Sequence, residues 1–232
     1  MTKTLCIIPA RSGSEGIKDK NIQKLFGIQL LKYPYLIAKK IRFINDIAFT
    51  SDSQKYLDII KDKEIIKILK SKKLAISKCN IIEVIKHTLK KIRKKYDYLL
   101  LLEPTSPLTD YKEIQSAYRL LSKKNSIYDF AVSTISIPKY NSAYAIKAVA
   151  LKKSKKIKFP KNTNRQSLKK EFFVSGNFYL AKTNKLLSNR GFISNKTLGF
   201  EIKKSIHLDI DTKIDFLLAK TILQNGLFKK IK

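Results

Sequence analysis

At 232 residues, with 44% hydrophobic and 10% aromatic side chains, the chain is long enough for one domain with a full core and too apolar for a disordered one. Its formal net charge of +31 would attract polyanions, yet only six of the 49 basic residues are arginine and the lysines are spread throughout, which argues against an arginine-rich nucleic-acid module. Two cysteines without CxxC spacing argue against a zinc site or disulfide framework, and no apolar run reaches a membrane span, so a cytoplasmic protein without a membrane or specific nucleic-acid partner is expected.

Short apolar runs alternate with longer stretches at helical spacing, the signature of an α/β fold with a mostly parallel sheet. Residues 5–8 read as the first strand, 29–41 as a helix, 46–50 as a second strand and 54–60 as a helix. Ile81, Ile82, Val84, Ile85, Leu89 and Ile92 mark one face of a helix over 81–95, followed by a strand over 96–102. Asp110 is the expected N-cap of a helix over 111–121, whose apolar face holds Ile114, Ala117, Tyr118 and Leu121. Residues 130–137 and 143–151 read as β segments bracketing "PKYNS", a hairpin or small excursion from the sheet. Residues 152–170 are polar and expected to be mobile, with "LKKSKKIKF" (151–159) a solvated loop rather than a binding arm. Core-forming segments return at 172–180 and at 205–210, the latter read as a buried strand that ends in the two aspartates, and a helix over 215–224 closes a chain expected to be one domain over residues 1–232.

In a parallel α/β sheet, ligands gather beyond the carboxyl ends of the strands. There "IIPARSGSEGIKDKNIQKL" (7–25) breaks from an apolar run into a loop with Gly13, Gly16, Ser14, Arg11 and Lys20. Glycines allow close backbone approach and the cations suit a triphosphate, although an ordinary glycine-containing turn with surface lysines fits the spacing as well. The spacing is neither GxxxxGK[ST] nor GxGxxG, which removes the main support for kinase-like ATPase and dinucleotide readings.

In "HLDIDTKIDF", Asp209 and Asp211 stand two apart on an extended segment, so both carboxylates leave one side and suit Mg2+. The alternative is that Asp211 or Thr212 simply caps the following helix. "LLEPTSPLTD" presents Glu103, Thr105 and Ser106 from a proline-stiffened loop, while "NRQSLKKEFFVSGNFYL" carries Arg165 and Gln166 ahead of a strand interrupted by Gly176. His87 and His207 receive no role, and no Ser-His-Asp arrangement is present.

Together, "IIPARSGSEGIKDKN", "FTSDS", "LLEPTSPLT", "NRQ" with "VSGNFYLAK", and "HLDIDTKIDF" resemble, in order and almost end to end, the motifs of the acylneuraminate cytidylyltransferase (CMP-sialic acid synthetase) family. The resemblance implies a Rossmann-like nucleotidyltransferase whose excursion, within residues 133–170, helps form a homodimer. It implies Mg2+-dependent transfer of CMP from CTP to the anomeric hydroxyl of an acidic sugar of the nonulosonic type. Arg11, Ser14, Lys20 and Asn21 would then hold the triphosphate, with Lys20 offsetting charge on the departing pyrophosphate. Asp209 and Asp211 would hold the metal, Lys70 would lie near cytosine, and Glu103, Arg165 and Gln166 would serve the sugar, Arg165 facing its carboxylate. Departures are equally legible: Glu15 stands where lysine is usual, Glu103 where glutamine is, Lys70 and Thr109 where arginine is, and Ser175 where asparagine is. An ionised carboxylate at 103 only accepts hydrogen bonds, whereas an amide also donates. Two other readings stand beside this one: an enzyme of the same fold acting on 3-deoxy-manno-octulosonate, and a non-catalytic basic nucleic-acid-binding protein on the same scaffold.

Overall fold

The computed structural model describes residues 2–76, 78–136, 170–189 and 191–229. The apolar run TLCIIP forms β1 (Thr4–Pro9), and its first five residues are all buried, as a strand covered on both faces requires. Because side chains alternate along a strand, Leu5 and Ile7 enter one core while Cys6 and Ile8 enter the other.

β1 lies inside a seven-stranded sheet. Two small strands, β2 (Lys24–Leu25) and β3 (Ile28–Gln29), pair separately as an antiparallel ribbon. The large sheet comprises β1, β4 (Asp46–Ser51), β5 (Ile66–Leu69), β6 (Tyr98–Leu101), β7 (Phe130–Ile135), β8 (Phe173–Lys182) and β9 (Thr197–Glu201). Its order is β5-β4-β1-β6-β8-β7-β9. Pairing is parallel except where β8 meets β6 and β7, so β8 alone runs against the rest. Ile135 pairs with Phe173, so the chain leaves β7 and enters β8 at the edge where β1, β4, β5 and β6 end.

Helices cover both faces. α1 (Lys32–Lys39) and α4 (Tyr111–Leu121) close one core with Ile37, Ile114, Ala117 and Leu121. α3 (Ile81–Ile92) and the short α5 (Thr183–Ser188) close the other with Ile82, Ile85 and Leu186. α2 (Gln54–Leu57) follows β4, and α6 (Lys213–Gln224) packs Ala219, Ile222 and Leu223 into a third core with Leu25, Leu108, Leu208 and Ile210. No helix among the described residues is long and apolar enough to cross a membrane.

The expected α/β class holds, with several corrections. The helix expected over 29–41 is shorter, because Ile28 and Gln29 pair with Leu25 and Lys24 before α1 begins. The helix expected over 54–60 stops at Leu57, and that over 81–95 stops where Arg93 turns left-handed at φ 57°. β5, β9 and α5 were not anticipated; β5 and β9 lie at the two sheet edges, where fewer faces are buried and the apolar signal weakens. The largest correction concerns 205–210, which is extended and half buried but pairs with no strand among the described residues. The β segment expected at 143–151, the mobile stretch from 152 and most of the 133–170 excursion lie outside the described residues.

Candidate active site

Parallel strands end together, so the residues that follow them converge. Arg11 follows β1, Asp52 follows β4, Lys70 follows β5 and Glu103 follows β6. A cleft of about 590 Å³ opens there, with Arg11, Ser14, Lys20, Asn21 and Lys70 on its walls. Glu103, Asp209 and Asp211 line the same space. Of the residues given a substrate or metal role by the family resemblance, only Arg165 and Gln166 are not among these, and both lie outside the described residues.

The glycine loop is folded on itself. The Arg11 guanidinium donates to the Gly13 carbonyl at 3.0 Å and stands 3.7 Å from the Glu15 carboxylate. Asn21 donates its amide nitrogen to the Arg11 carbonyl at 2.9 Å, so a group expected to touch substrate also ties the loop to the turn at Lys20. That turn begins at Asp19, in the left-handed region at φ 54°. It buries the Lys20 stem and brings its ammonium to within 2.7 Å of Asp211 Oδ1, whose side chain is largely exposed. Gly16 is required nearby, because a Cβ there would collide with the backbone carbonyl of Asp211.

The acidic segment meets this loop from the other side. Leu208 and Ile210 are buried while Asp209 and Asp211 are exposed, the alternation expected of an extended chain with one buried face. Helix capping does not consume the pair: Thr212 caps α6, its hydroxyl accepting from the Asp215 amide, while Asp215 reaches back to the Thr212 backbone. Asp211 is therefore free to face Lys20.

Electrostatics divide the cleft. Burial pushes the Glu103 carboxyl up to about 7, with Asp209 and Asp211 adding to the rise and Lys20 opposing it. Burial likewise draws the Lys70 ammonium down; Asp52 and Cys79 counter this, and Arg11 adds to it. One end thus gathers three acidic groups, while the other carries Lys70 beside the apolar side chains of Leu74, Ala75, Ile76 and Val84.

The sequence model of the cytidylyltransferase family matches residues 5–231. The chain belongs to that family. It is 31% identical over 236 residues to an N-acylneuraminate cytidylyltransferase of Escherichia coli, covering 99% of this chain and 54% of that protein. It is 26% identical to a pseudaminic acid cytidylyltransferase of Campylobacter jejuni, covering 95% and 96%. The chain spans about half the length of the N-acylneuraminate relatives it matches. Among solved structures, a CMP:2-keto-3-deoxy-manno-octonic acid synthetase complexed with CTP shares the fold, with TM-score 0.69 at 12% identity over 97% of this chain and 99% of that one.

This member of the cytidylyltransferase family also holds residues around the cleft that the sequence reading passed over. Asp52 accepts from the Ser12 amide at 2.9 Å and from the Ser12 hydroxyl at 2.6 Å, bracing the residue next to Arg11. Burial alone would raise the Asp52 carboxyl, but the Ser12 bonds and the Lys70 charge outweigh it and hold the group below its ordinary value. The available signal was an acid placed directly after a parallel strand. Tyr179 gave no such signal: its hydroxyl comes near Gly176, and burial, then Glu103 and Asp209, push it up to about 12.

Proposed function

We propose that this cytidylyltransferase transfers CMP from CTP to the anomeric hydroxyl of a sialic-acid-like nonulosonic acid. The hydroxyl oxygen forms a bond to the α-phosphorus and gives up its proton to solvent, the bond from that phosphorus to the bridging oxygen breaks, and pyrophosphate leaves with its electron pair. The observation that carries this reading is the meeting of a cationic glycine loop and a carboxylate pair across one cleft, joined by the Lys20–Asp211 contact. Relatives named for N-acylneuraminate and pseudaminic acid support the choice of acceptor.

Arg11, Ser14 and the Lys20–Asn21 turn receive the triphosphate. Lys20 exchanges its Asp211 partner for phosphate oxygens and stabilises charge as pyrophosphate departs. Lys70 and the apolar wall beside it take the cytosine. Asp209 and Asp211 fit a Mg2+ ion, being two exposed hard-oxygen donors on one side of an extended segment. Bound there, the ion would supply Lewis acidity at the α-phosphate. Glu103 faces the acceptor, with Arg165 and Gln166 assigned to the same substrate and Arg165 to its carboxylate. The enzyme works in the cytoplasm as a homodimer; light scattering on the purified chain tests the assembly, and cell fractionation tests the location.

Pyrophosphate release with Mg2+ decides the reaction. CTP is compared with the other three nucleoside triphosphates, each against a panel of nonulosonic acids and 3-deoxy-manno-octulosonate. Release with CTP and a nonulosonic acid is expected; release confined to 3-deoxy-manno-octulosonate reassigns the acceptor, and silence across the panel removes the proposed activity.

A further inference from the structure

Among the described residues, the segment bearing Asp209 and Asp211 joins no sheet ladder. Downstream of β9 it makes two backbone bonds to the loop after β6, from the Ile206 amide to the Leu108 carbonyl and from the Ile210 amide to the Thr105 carbonyl, each 2.9 Å, and two side-chain contacts with β8, where Asn177 Nδ2 donates to the Ile206 carbonyl at 3.2 Å and His207 Nδ1 meets the Ser175 carbonyl at 2.8 Å. Its upstream end is held by a side chain remote from the cleft. Glu113, in the first turn of α4 and only 7% exposed, receives three successive backbone amides. Its Oε1 accepts from Lys203 at 2.6 Å and Lys204 at 2.9 Å, and its Oε2 accepts from Ser205 at 2.9 Å. Ser205 returns the contact, its hydroxyl accepting from the Asp110 amide at the start of the same helix at 2.9 Å.

Hydrogen bonds to an ionised acceptor are about twice as strong as neutral ones, so three around one carboxylate anchor the upstream end of this stretch firmly. α4 begins directly after the loop that carries Glu103 and Thr105. The anchor therefore ties the acidic segment to the same piece of chain that borders the other side of the cleft's acidic end.

We infer that Glu113 is a positioning residue for the Asp209 and Asp211 carboxylates, setting their place in the cleft from outside it through the backbone of residues 203–205. The inference rests on the proposed CMP transfer and metal site for its kinetic and Mn2+ consequences; its consequence for amide exchange stands apart from both.

Glu113→Gln keeps the side-chain shape but removes the charge and places an N–H2 against a backbone donor. Three readouts are compared with wild type: free Mn2+ counted by its electron paramagnetic resonance during titration in the presence of CTP, steady-state pyrophosphate release, and amide hydrogen exchange over residues 203–211. Mn2+ affinity is expected to fall at least fivefold and kcat at least tenfold, with KM for CTP changed less than twofold and faster exchange confined to that segment. Glu113→Asp should restore part of each loss. A folded Glu113→Gln protein with Mn2+ affinity, kcat and exchange within twofold of wild type overturns the inference. If Glu113→Gln does not fold, Ser205→Ala carries the test: the same pattern in milder form supports the brace, and wild-type values reject it. Failure of the underlying reading looks different, because Asp211→Asn would then keep wild-type Mn2+ binding, or the wild type would release no pyrophosphate from CTP.

Discussion

The loop at Arg11 and the segment at Asp209 face each other across the cleft, yet they are held by different means. The loop grows from the end of β1, which is laddered to β4 on one side and β6 on the other, so its root is as fixed as the sheet. Asp52 and Asn21 then trim its path. The acidic segment joins no ladder among the described residues and depends on two backbone bonds, the Glu113 carboxylate, the contacts of Asn177 with the Ile206 carbonyl and of His207 with the Ser175 carbonyl, and the burial of Leu208 and Ile210. The cations thus inherit their position from secondary structure, whereas the carboxylates receive theirs from individual side chains. Substitutions far from the cleft should therefore disturb the acidic wall more readily than the basic one.

This contrast can be broken at several points. The largest expected effect removes both sides at once: Phe178→Ala, at a fully buried ring packed near Phe200, should cost about 3–5 kcal/mol of stability in denaturant unfolding. A loss under about 1 kcal/mol would mean that the sheet is not the common support. Asp211→Asn should instead leave the unfolding curve close to wild type while lowering turnover at least about a hundredfold. Retained turnover would take the carboxylate out of the chemistry. Gly16→Ala forces the loop away from the Asp211 carbonyl and should lower kcat/KM for CTP about ten- to a hundredfold, since misplacement of about 1 Å can cost that much. An unchanged value would show that the two walls need not touch.

The smallest effect concerns pH. Burial would raise the Glu113 carboxyl, but its bonds to Ser205, Lys203 and Lys204 outweigh that and depress it. A depressed group stabilises the fold above its unfolded value of about 4.3 and loses that contribution as pH falls through its lower folded value. The stability gap between wild type and Glu113→Gln should hold from pH 7 to about 5 and then narrow on further acidification. A gap that stays constant to low pH would mean that charge is not what the three amides recognise.

Much of the site was legible because its chemistry is local in sequence. Arg11, Ser14, Lys20 and Asn21 sit in one loop, and the strand before it is a continuous apolar run, so position and residue type could be read together. The spacing of Asp209 and Asp211 likewise survives, since alternation needs only an extended chain and not a sheet. That same indifference produced the error at 205–210: Leu208 and Ile210 alternate like a strand but pack into the third core beside α6. The edge strands β5 and β9 were missed for a related reason, because lysine and glycine dilute the apolar signal in "IKIL" and "TLGFE". Asp52 and Glu113 act across 40 and about 90 residues of chain, and no local pattern announces such a partner.

The single reversed strand has a consequence for how such a protein can diversify. Because β8 runs against its neighbours, Ile135 and Phe173 are paired at the strand ends nearest the cleft, and the intervening chain is inserted between two anchors that already match. Lengthening, shortening or rewriting that insert leaves the register of Ile135 with Phe173 as it is. Selection can therefore change the insert without first solving the folding problem again.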